Sequence, residues 1–400
     1  MTVPDAAPPG RLDARIRDLT LIALGGLSGM SPTFVAPALP EMAARFADVP
    51  DVELLVRLVV TLPTVMLAAS APLVGWAADG LGRKKLLAVA TVLYATAGVV
   101  PALLDDLDAI LASRALFGVA LGIMYTLAPA MFGDIYAGTA RYRAMAFLSA
   151  GTAGGGAALT IAGGALAEHG WRVTFAMHGI ALLLLPLLVR YVHDTARPAA
   201  DAPAGAGGGE RWNVLSPAAL VIIYVAIMLV SLVYMQLPLN VPFVLEERGI
   251  GGPGLSGIVI AWMMATMAVV GPFYPRLRRH ATNPAIYCGV VTGLAAGLAL
   301  MAVADSLVLA LVAATVFGAA MSQSFANSST WVMAATAARV RGRAIGALVL
   351  AIYMGQFLAP LLLLPLLRAT SLTAAMLLIA AGTVGLGLLV LAGGRHGLRP

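Results

Sequence analysis

Two arginines in otherwise apolar stretches are the side chains with the clearest chemical potential. Arg57 and Arg114 each lie near one end of a long hydrophobic run. An arginine inside a bilayer costs on the order of 2.5–3.5 kcal/mol, so it needs a cavity or a partner. Alternatively, Arg114 extends along its helix to the surface, near the acidic segment 105–108.

Amide side chains occupy other apolar runs, where a buried polar group also needs a partner. Such groups either contact a bound small molecule or hydrogen-bond to a neighbouring helix, an interaction worth about 0.6–2 kcal/mol. The amides are Gln236, Asn240, Gln323, Asn327 and Gln356.

No acidic residue lies in the middle of an apolar run; Glu41 and Asp134 come closest, at the ends of runs. This distribution argues against a dedicated site for a strong cation, and it leaves no acidic candidate for carrying protons. His178 titrates near neutral pH when unperturbed. A hydrogen-bonded structural histidine is the simpler interpretation of that residue.

The motifs of hydrolytic, phosphate-binding and zinc catalysis are missing from the sequence. The single cysteine, Cys288, excludes an intrachain disulfide and a cysteine-based metal site. We therefore predict no enzyme activity, no metal and no cofactor, and any transport must use an ion gradient rather than ATP.

The composition identifies the environment of these residues. Hydrophobic residues make up 60% of the 400-residue chain and charged residues 11%, and the mean hydropathy is +0.92. Soluble domains are about half apolar and a quarter charged. The sequence therefore predicts an all-α protein that crosses a membrane many times. Basic loops account for the net charge of +6, so it does not indicate a nucleic acid partner.

Twelve apolar runs are long enough to cross a bilayer as helices of about 20 residues. The first exceeds a signal-peptide core, so we expect it to be retained. A segment rich in Gly, Ala and Pro indicates a flexible linker. We predict an N-terminal six-helix bundle at 1–192, the linker at 193–215 and a C-terminal six-helix bundle at 216–400. The predicted spans lie near 19–40, 54–76, 86–104, 109–132, 144–167, 172–192, 216–241, 255–275, 283–303, 307–332, 344–367 and 372–392.

Basic residues cluster on one side of this topology. They fill the N-terminal segment 11–17 and alternate connections, including 83–85, 141–143 and 276–279, whereas the opposite connections carry acids. Because basic loops stay in the cytoplasm, we predict that both termini are cytoplasmic.

The basic connections also repeat. Gly271 opens a basic loop 196 positions after Gly75, and Arg341-Gly-Arg343 follows Arg141-Tyr-Arg143 by 200 positions. Parallel repeats of six spans are a known transporter architecture. The two bundles are therefore predicted to be pseudo-symmetric.

The stretch GWAADGLGRKK at 75–85 resembles the loop signature of the major facilitator superfamily, although Gly80 stands where a base is usual. In that family the loop latches one conformational state, and this resemblance assigns the latch to five residues. They are Gly75, Asp79, Gly82, Arg83 and Lys84.

A second signature of the family is matched by Arg114, Gly118 and Gly122, with Phe117 in place of the expected glutamine. The whole chain is most similar to twelve-helix drug and metabolite exporters. The resemblance implies that Arg114, and less directly Arg57, serves in coupling or in the cavity. It also places spans 1, 4, 7 and 10 around a central cavity. Its candidate lining is the five amides together with Tyr125 and Phe34.

The antiporter signature of the family is incomplete in span 5. Gly163 and Gly164 are present, but Leu159-Thr160 stands where Gly-Pro is expected. Pro360, 200 positions after Thr160, occupies the matching place in span 11. Either the hinge has moved to the other bundle or antiport is the wrong mechanism.

These observations predict a monomeric secondary transporter in the cell membrane that exports a small neutral or amphipathic molecule, such as a drug or metabolite. Alternating access coupled to protons would drive it. The alternatives are import of a small metabolite by symport or uniport, and a receptor or lipid-handling protein of transporter-like fold.

Overall fold

The computed structural model describes residues 11–29, 34–136, 138–194, 217–336 and 341–394, which are helical apart from short connections. The helices are α1 (Arg11–Gly29), α2 (Leu39–Arg45), α3 (Val52–Leu81), α4 (Arg83–Val99), α5 (Leu107–Ile135), α6 (Gly138–Ala167), α7 (Trp171–Ala176), α8 (Ala181–Tyr191), α9 (Pro217–Glu247), α10 (Pro253–Val270), α11 (Tyr274–His280), α12 (Asn283–Ala302), α13 (Leu307–Ala335), α14 (Arg341–Ala369) and α15 (Leu372–Gly394).

Ten helical segments among the described residues are long and apolar enough to cross a membrane, which confirms the all-helical membrane class. The first and twelfth predicted spans are not among them. The first includes residues 30–33, which lie outside the described part, and the last contributes only the shorter apolar stretch Leu372–Gly385. Twelve spans, and cytoplasmic termini, therefore stay predictions.

The predicted loop at 75–85 is shorter than expected. Helix α3 continues to Leu81 and α4 begins at Arg83, so the connection is Gly82 alone. Gly82 has φ of +81°, a conformation that side chains with a Cβ rarely adopt. A single glycine thus reverses the chain between two long helices.

Short 3₁₀ turns interrupt two of the predicted spans. The first span ends in a 3₁₀ turn, Ala36–Ala38, followed by α2, and Pro37 and Pro40 lie at the starts of these two elements. The sixth is divided into α7, a 3₁₀ turn at Met177–Ile180, and α8. Because proline lacks an amide hydrogen, it fits the first turn of a new helix better than the middle of an old one.

We call the helices of residues 11–191 the N-terminal set and those of residues 217–394 the C-terminal set. Within the sets, α3 packs on α5, α9 on α14, and α12 on α13 and α15; between them, α6 packs on α10 and α3 on α14. The predicted linker falls mainly outside the described residues, so the division into two bundles stays a prediction.

The helices define two ends of the molecule. The acidic end contains the connections around Asp51, Asp105 and Glu247, and the basic end contains those around Lys84 and Arg279. The functional contacts differ between these two ends.

Candidate functional site

The two sets of helices are joined near the acidic end. The carboxylate of Asp51, at the start of α3, forms an ion pair with Arg368 near the end of α14. Arg57, six residues further along α3, contacts α9, where its Nη2 is 3.5 Å from Asn240 Oδ1. Its guanidinium also lies 4.4 Å from the centre of the Phe243 ring.

Arg57 is 3% exposed, although its polar contacts are few. Its Nη1 donates to the Glu53 carbonyl at 2.8 Å, the Glu53 carboxylate is 4.0 Å away, and Nε has no partner among the described residues. A guanidinium offers five N–H donors. Arg57 therefore has N–H donors left to bind another group at the boundary between the sets.

Amide side chains of α9 and α14 extend the polar cluster around Arg57. Asn240 Nδ2 donates to the Gln236 carbonyl at 2.7 Å, and Gln236 Nε2 donates to the Ala359 carbonyl at 3.1 Å. Gln356 lies about one turn before Ala359 on α14, and its buried Oε1 has no hydrogen-bond partner in the described structure. Three of the five predicted amides thus lie on the adjacent helices α9 and α14, and Asn240 among them contacts Arg57.

Tyrosines meet between the sets further along the same interface. The rings of Tyr125 on α5 and Tyr353 on α14 are 6.4 Å apart and nearly perpendicular. Tyr125 is exposed and Tyr353 is partly buried. Sequence reasoning missed Tyr353, because a tyrosine three residues before Gln356 in an apolar run gives no distinguishing signal.

Helices α6 and α10 also approach each other closely across the two sets. A Cβ added to Gly164 would lie 2.8 Å from the Pro253 carbonyl oxygen and 2.9 Å from the Gly257 Cα. A Cβ added to its neighbour Gly163 would instead lie 2.6 Å from the Phe34 carbonyl oxygen, inside the N-terminal set. The two predicted hinge glycines therefore face different neighbours. Pro360, the matching residue of the second half, lies inside the continuous helix α14.

Arg114 has a different setting. It is 1% exposed and donates to the carbonyls of Ala97 and Gly98 on α4. Its guanidinium lies 4.5 Å from the Phe117 ring centre and 5.1 Å from that of Phe175. The side chain therefore does not extend to the surface, and it packs inside the N-terminal set.

The same cluster contains two other residues that the sequence singled out. His178 is fully buried with its ring 4.9 Å from that of Phe117, and its Nδ1 is 2.8 Å from the Phe175 carbonyl. Phe34 is fully buried with its ring 5.2 Å from His178. In this conformation Phe34 packs against His178 and Gly163 of the N-terminal set, and its place in the cavity lining stays a prediction.

The two remaining amides bond within the C-terminal set. Gln323 Nε2 donates to the Val270 carbonyl and Asn327 Nδ2 donates to the Asn283 carbonyl, each at 3.0 Å. These contacts match the alternative interpretation, in which amides hold neighbouring helices together.

At the basic end, the described polar contacts each join residues of one set. Arg83 forms an ion pair with Asp134 of α5, and the Lys84 amide donates to Asp194 at 2.7 Å. Gly75 and Asp79 lie on α3, but their surroundings, including the Asp79 side chain, are outside the described part of the structure. The latch residues that are described therefore contact α5 and the end of the N-terminal set. Sequence reasoning placed Asp134 at a helix end but did not predict this partner.

The profile of the Major Facilitator Superfamily matches residues 21–360. The chain belongs to the major facilitator superfamily. This family accounts for the resemblance seen in the loop signature and in Arg114. Members of this family are membrane transporters, in agreement with the apolar helices of this chain.

Relatives of known activity are distant. The 3-(3-hydroxy-phenyl)propionate transporter of Escherichia coli (strain K12) is 24% identical over 226 residues, which is 56% of each chain. The chain thus spans about half the length of this curated relative. Its substrate is a property of that protein.

Solved structures share the fold. A nucleoside transporter is 14% identical with a TM-score of 0.77, covering 95% of this chain and 99% of its own. A D-xylose-proton symporter is 15% identical with a TM-score of 0.70, covering 94% and 97%. At these identities the similarity shows architecture alone.

Proposed function

We propose that this superfamily member carries a small neutral or anionic amphipathic molecule by alternating access, with its basic end in the cytoplasm. The observation that carries the proposal is the difference between the ends. The described contacts joining the sets run from the Tyr125–Tyr353 pair to the Asp51–Arg368 ion pair, whereas those at the basic end stay within a set. This conformation would expose the cargo site at the basic end.

The chemistry of the interface supports a neutral or anionic cargo. Arg57 and the three amides Gln236, Asn240 and Gln356 supply hydrogen-bond donors, and Tyr125 and Tyr353 supply aromatic surface. The carboxylates near Arg57, such as Glu53, lie at helix ends. A cationic cargo would meet Arg57 without a buried carboxylate among the described residues to balance it.

Export coupled to protons is the direction that we propose, following the resemblance to twelve-helix exporters. Uptake is the second candidate, supported by the fold shared with a D-xylose-proton symporter. A third candidate, a receptor or lipid-handling protein, requires that binding occurs without transport.

Membrane vesicles of both orientations test these candidates. A matched series of an aromatic acid, its amide and its amine would be offered, with 3-(3-hydroxyphenyl)propionate as the acid. We expect energised everted vesicles to accumulate the acid or the amide, and a protonophore to abolish accumulation. Accumulation only in right-side-out vesicles would replace export by uptake.

The Arg57→Gln variant is the control for the site. It should lose transport while keeping its level in the membrane. Transport of the amine alone, unaffected by Arg57→Gln, would contradict the proposed cargo chemistry. Saturable binding with no transport in either orientation would favour the receptor.

A further inference from the structure

A cavity at the basic end is lined by residues of the N-terminal set alone, and its lining includes neither Arg57 nor the amides of the proposed cargo site. Its volume is about 430 Å³, within the range of small-molecule sites. It is enclosed by α1, the end of α5 and the beginning of α6. The lining residues are Asp18, Ile22, Phe132, Tyr136, Ala140, Arg143, Ala144 and Phe147.

The acidic group of this cavity is already bound. Asp18 Oδ1 accepts from Arg17 at 2.9 Å, and Asp18 Oδ2 accepts from the Tyr136 hydroxyl. Burial, followed by the hydrogen bond to Asp18, raises the pKa of Tyr136 above its ordinary value, so the phenol keeps its proton. Both carboxylate oxygens are thus occupied by donors.

The basic group of the cavity is available. Arg143 is exposed on α6, and the described residues offer it neither a hydrogen bond nor an ion pair. Because Asp18 is held by Arg17 and Tyr136, the charge that a ligand meets is that of Arg143. A guanidinium binds carboxylate, sulfonate or phosphate groups through paired N–H donors.

Aromatic and apolar surfaces form the rest of the cavity. The Phe132 and Tyr136 rings are 5.5 Å apart on one wall. Phe147 is 70% exposed one helical turn beyond Arg143 on α6. An exposed phenylalanine beside an available arginine favours a ligand with an apolar body and an acid head.

We propose that this cavity is a second ligand site, which binds an amphipathic anion through Arg143, Phe147 and Phe132. The site does not depend on the cargo or on the direction of transport. The anion could be a soluble aromatic acid or an acidic lipid, since both present the same head and apolar body.

Photolabelling of the full chain in nanodiscs of phosphatidylcholine tests the site. The probe is 4-azidobenzoate, with uncharged 4-azidobenzamide as its matched control, and labelled residues are mapped by mass spectrometry. We expect saturable labelling by the acid in segments 18–22 and 132–147. The half-saturating concentration should rise about ten-fold in Arg143→Gln, as for loss of one charge-assisted hydrogen bond.

Arg141→Gln is the matched variant, because it removes the same charge two residues away from an exposed position outside the cavity lining. It should label like the unmodified chain, whereas Ala140→Phe, which fills the cavity, should reduce labelling. Arg57→Gln, in the cargo site, should leave it unchanged. Equal effects of Arg141→Gln and Arg143→Gln, or equal labelling by the amide, would overturn the proposal.

Adding phosphatidylglycerol to the nanodiscs distinguishes the two sources of anion. If the lipid lowers labelling of the unmodified chain but not the residual labelling of Arg143→Gln, the occupant in the membrane is an acidic lipid. If the lipid has no effect, the site selects soluble aromatic acids. If the lipid lowers labelling equally in the unmodified chain and in Arg143→Gln, the cause is the overall charge of the membrane, and a specific site is contradicted.

Discussion

Arg57 and Arg114 are both buried arginines of the N-terminal set, yet their side chains contact different sets of helices. Arg114 donates to two carbonyls of α4 and packs between Phe117 and Phe175, all within the N-terminal set. Arg57 reaches across to Asn240 and Phe243 of the C-terminal set. Burial alone therefore does not identify a transport residue. What distinguishes the two is whether their partners lie across the interface that alternating access must open.

The largest expected effect is at Arg114. Arg114→Ala should lower the free energy of unfolding by about 3–5 kcal/mol, because it leaves a large cavity and unpaired aromatic faces. Thermal unfolding in detergent, followed by size-exclusion chromatography, measures this loss. A stable Arg114→Ala protein that fails only in transport would remove the contrast with Arg57.

Gly163 and Gly164, the two predicted hinge glycines, provide a second comparison. Gly163→Ala should destabilise the protein by about 1–3 kcal/mol, because the new methyl group meets Phe34 inside one set. Gly164→Ala should instead hinder closure of α6 on α10. A reporter cysteine measures this closure: Asn240→Cys is introduced in a Cys288→Ser background and labelled with an impermeant maleimide from the acidic side. The labelling should be faster when Gly164→Ala is added.

The relative sizes of the stability and labelling effects test whether Gly163 and Gly164 have different roles. Gly163→Ala should change the thermal midpoint more than the labelling rate, and Gly164→Ala should do the reverse. The same ratio of effects at both positions would mean that the two glycines serve one purpose.

At Arg57, the effect should be on transport rather than on stability. Arg57→Gln should lower the initial rate at least about ten-fold, equivalent to about 1.4 kcal/mol. The change in thermal stability should stay within about 1 kcal/mol, since few hydrogen bonds are lost. Arg57→Lys keeps the charge but not the planar donor group, and an intermediate rate would indicate that both matter.

The smallest effect is expected for the Asp51–Arg368 ion pair. Both side chains are at least half exposed, and such pairs contribute about 0–1 kcal/mol. Asp51→Asn should increase maleimide labelling from the acidic side slightly, more at low salt than at high salt. The charge-swapped pair Asp51→Arg with Arg368→Asp should restore the original rate; failure to do so would leave the pair without a role in closure.

Sequence patterns predicted the helical membrane class and the family, because apolar length and basic loops are local properties. Partners across helices were harder to predict. Gln236 and Gln323 are both amides in apolar runs, so their local sequences look alike. In the structure Gln236 faces α14, whereas Gln323 faces the end of α10. The facing direction depends on how each helix is rotated in the assembled bundle, which tertiary packing decides.

The connection between α3 and α4 shows a similar limit. The glycines and bases of the segment 75–85 predicted a loop, but the helices continue until Gly82. Helical propensity and packing on both sides therefore overrode the local turn signal. The predicted latch role of Asp79 stays a prediction because its side chain lies outside the described residues.

The one-residue turn at Gly82 also determines where this protein can be cut or extended. Proteases and inserted tags need several residues of unwound backbone at an exposed loop, and Gly82 is bounded on both sides by helix. A fused reporter placed there would have to unravel part of α3 or α4. The joint is therefore a poor place for nicking or insertion, even though its neighbouring bases make it look accessible in the sequence.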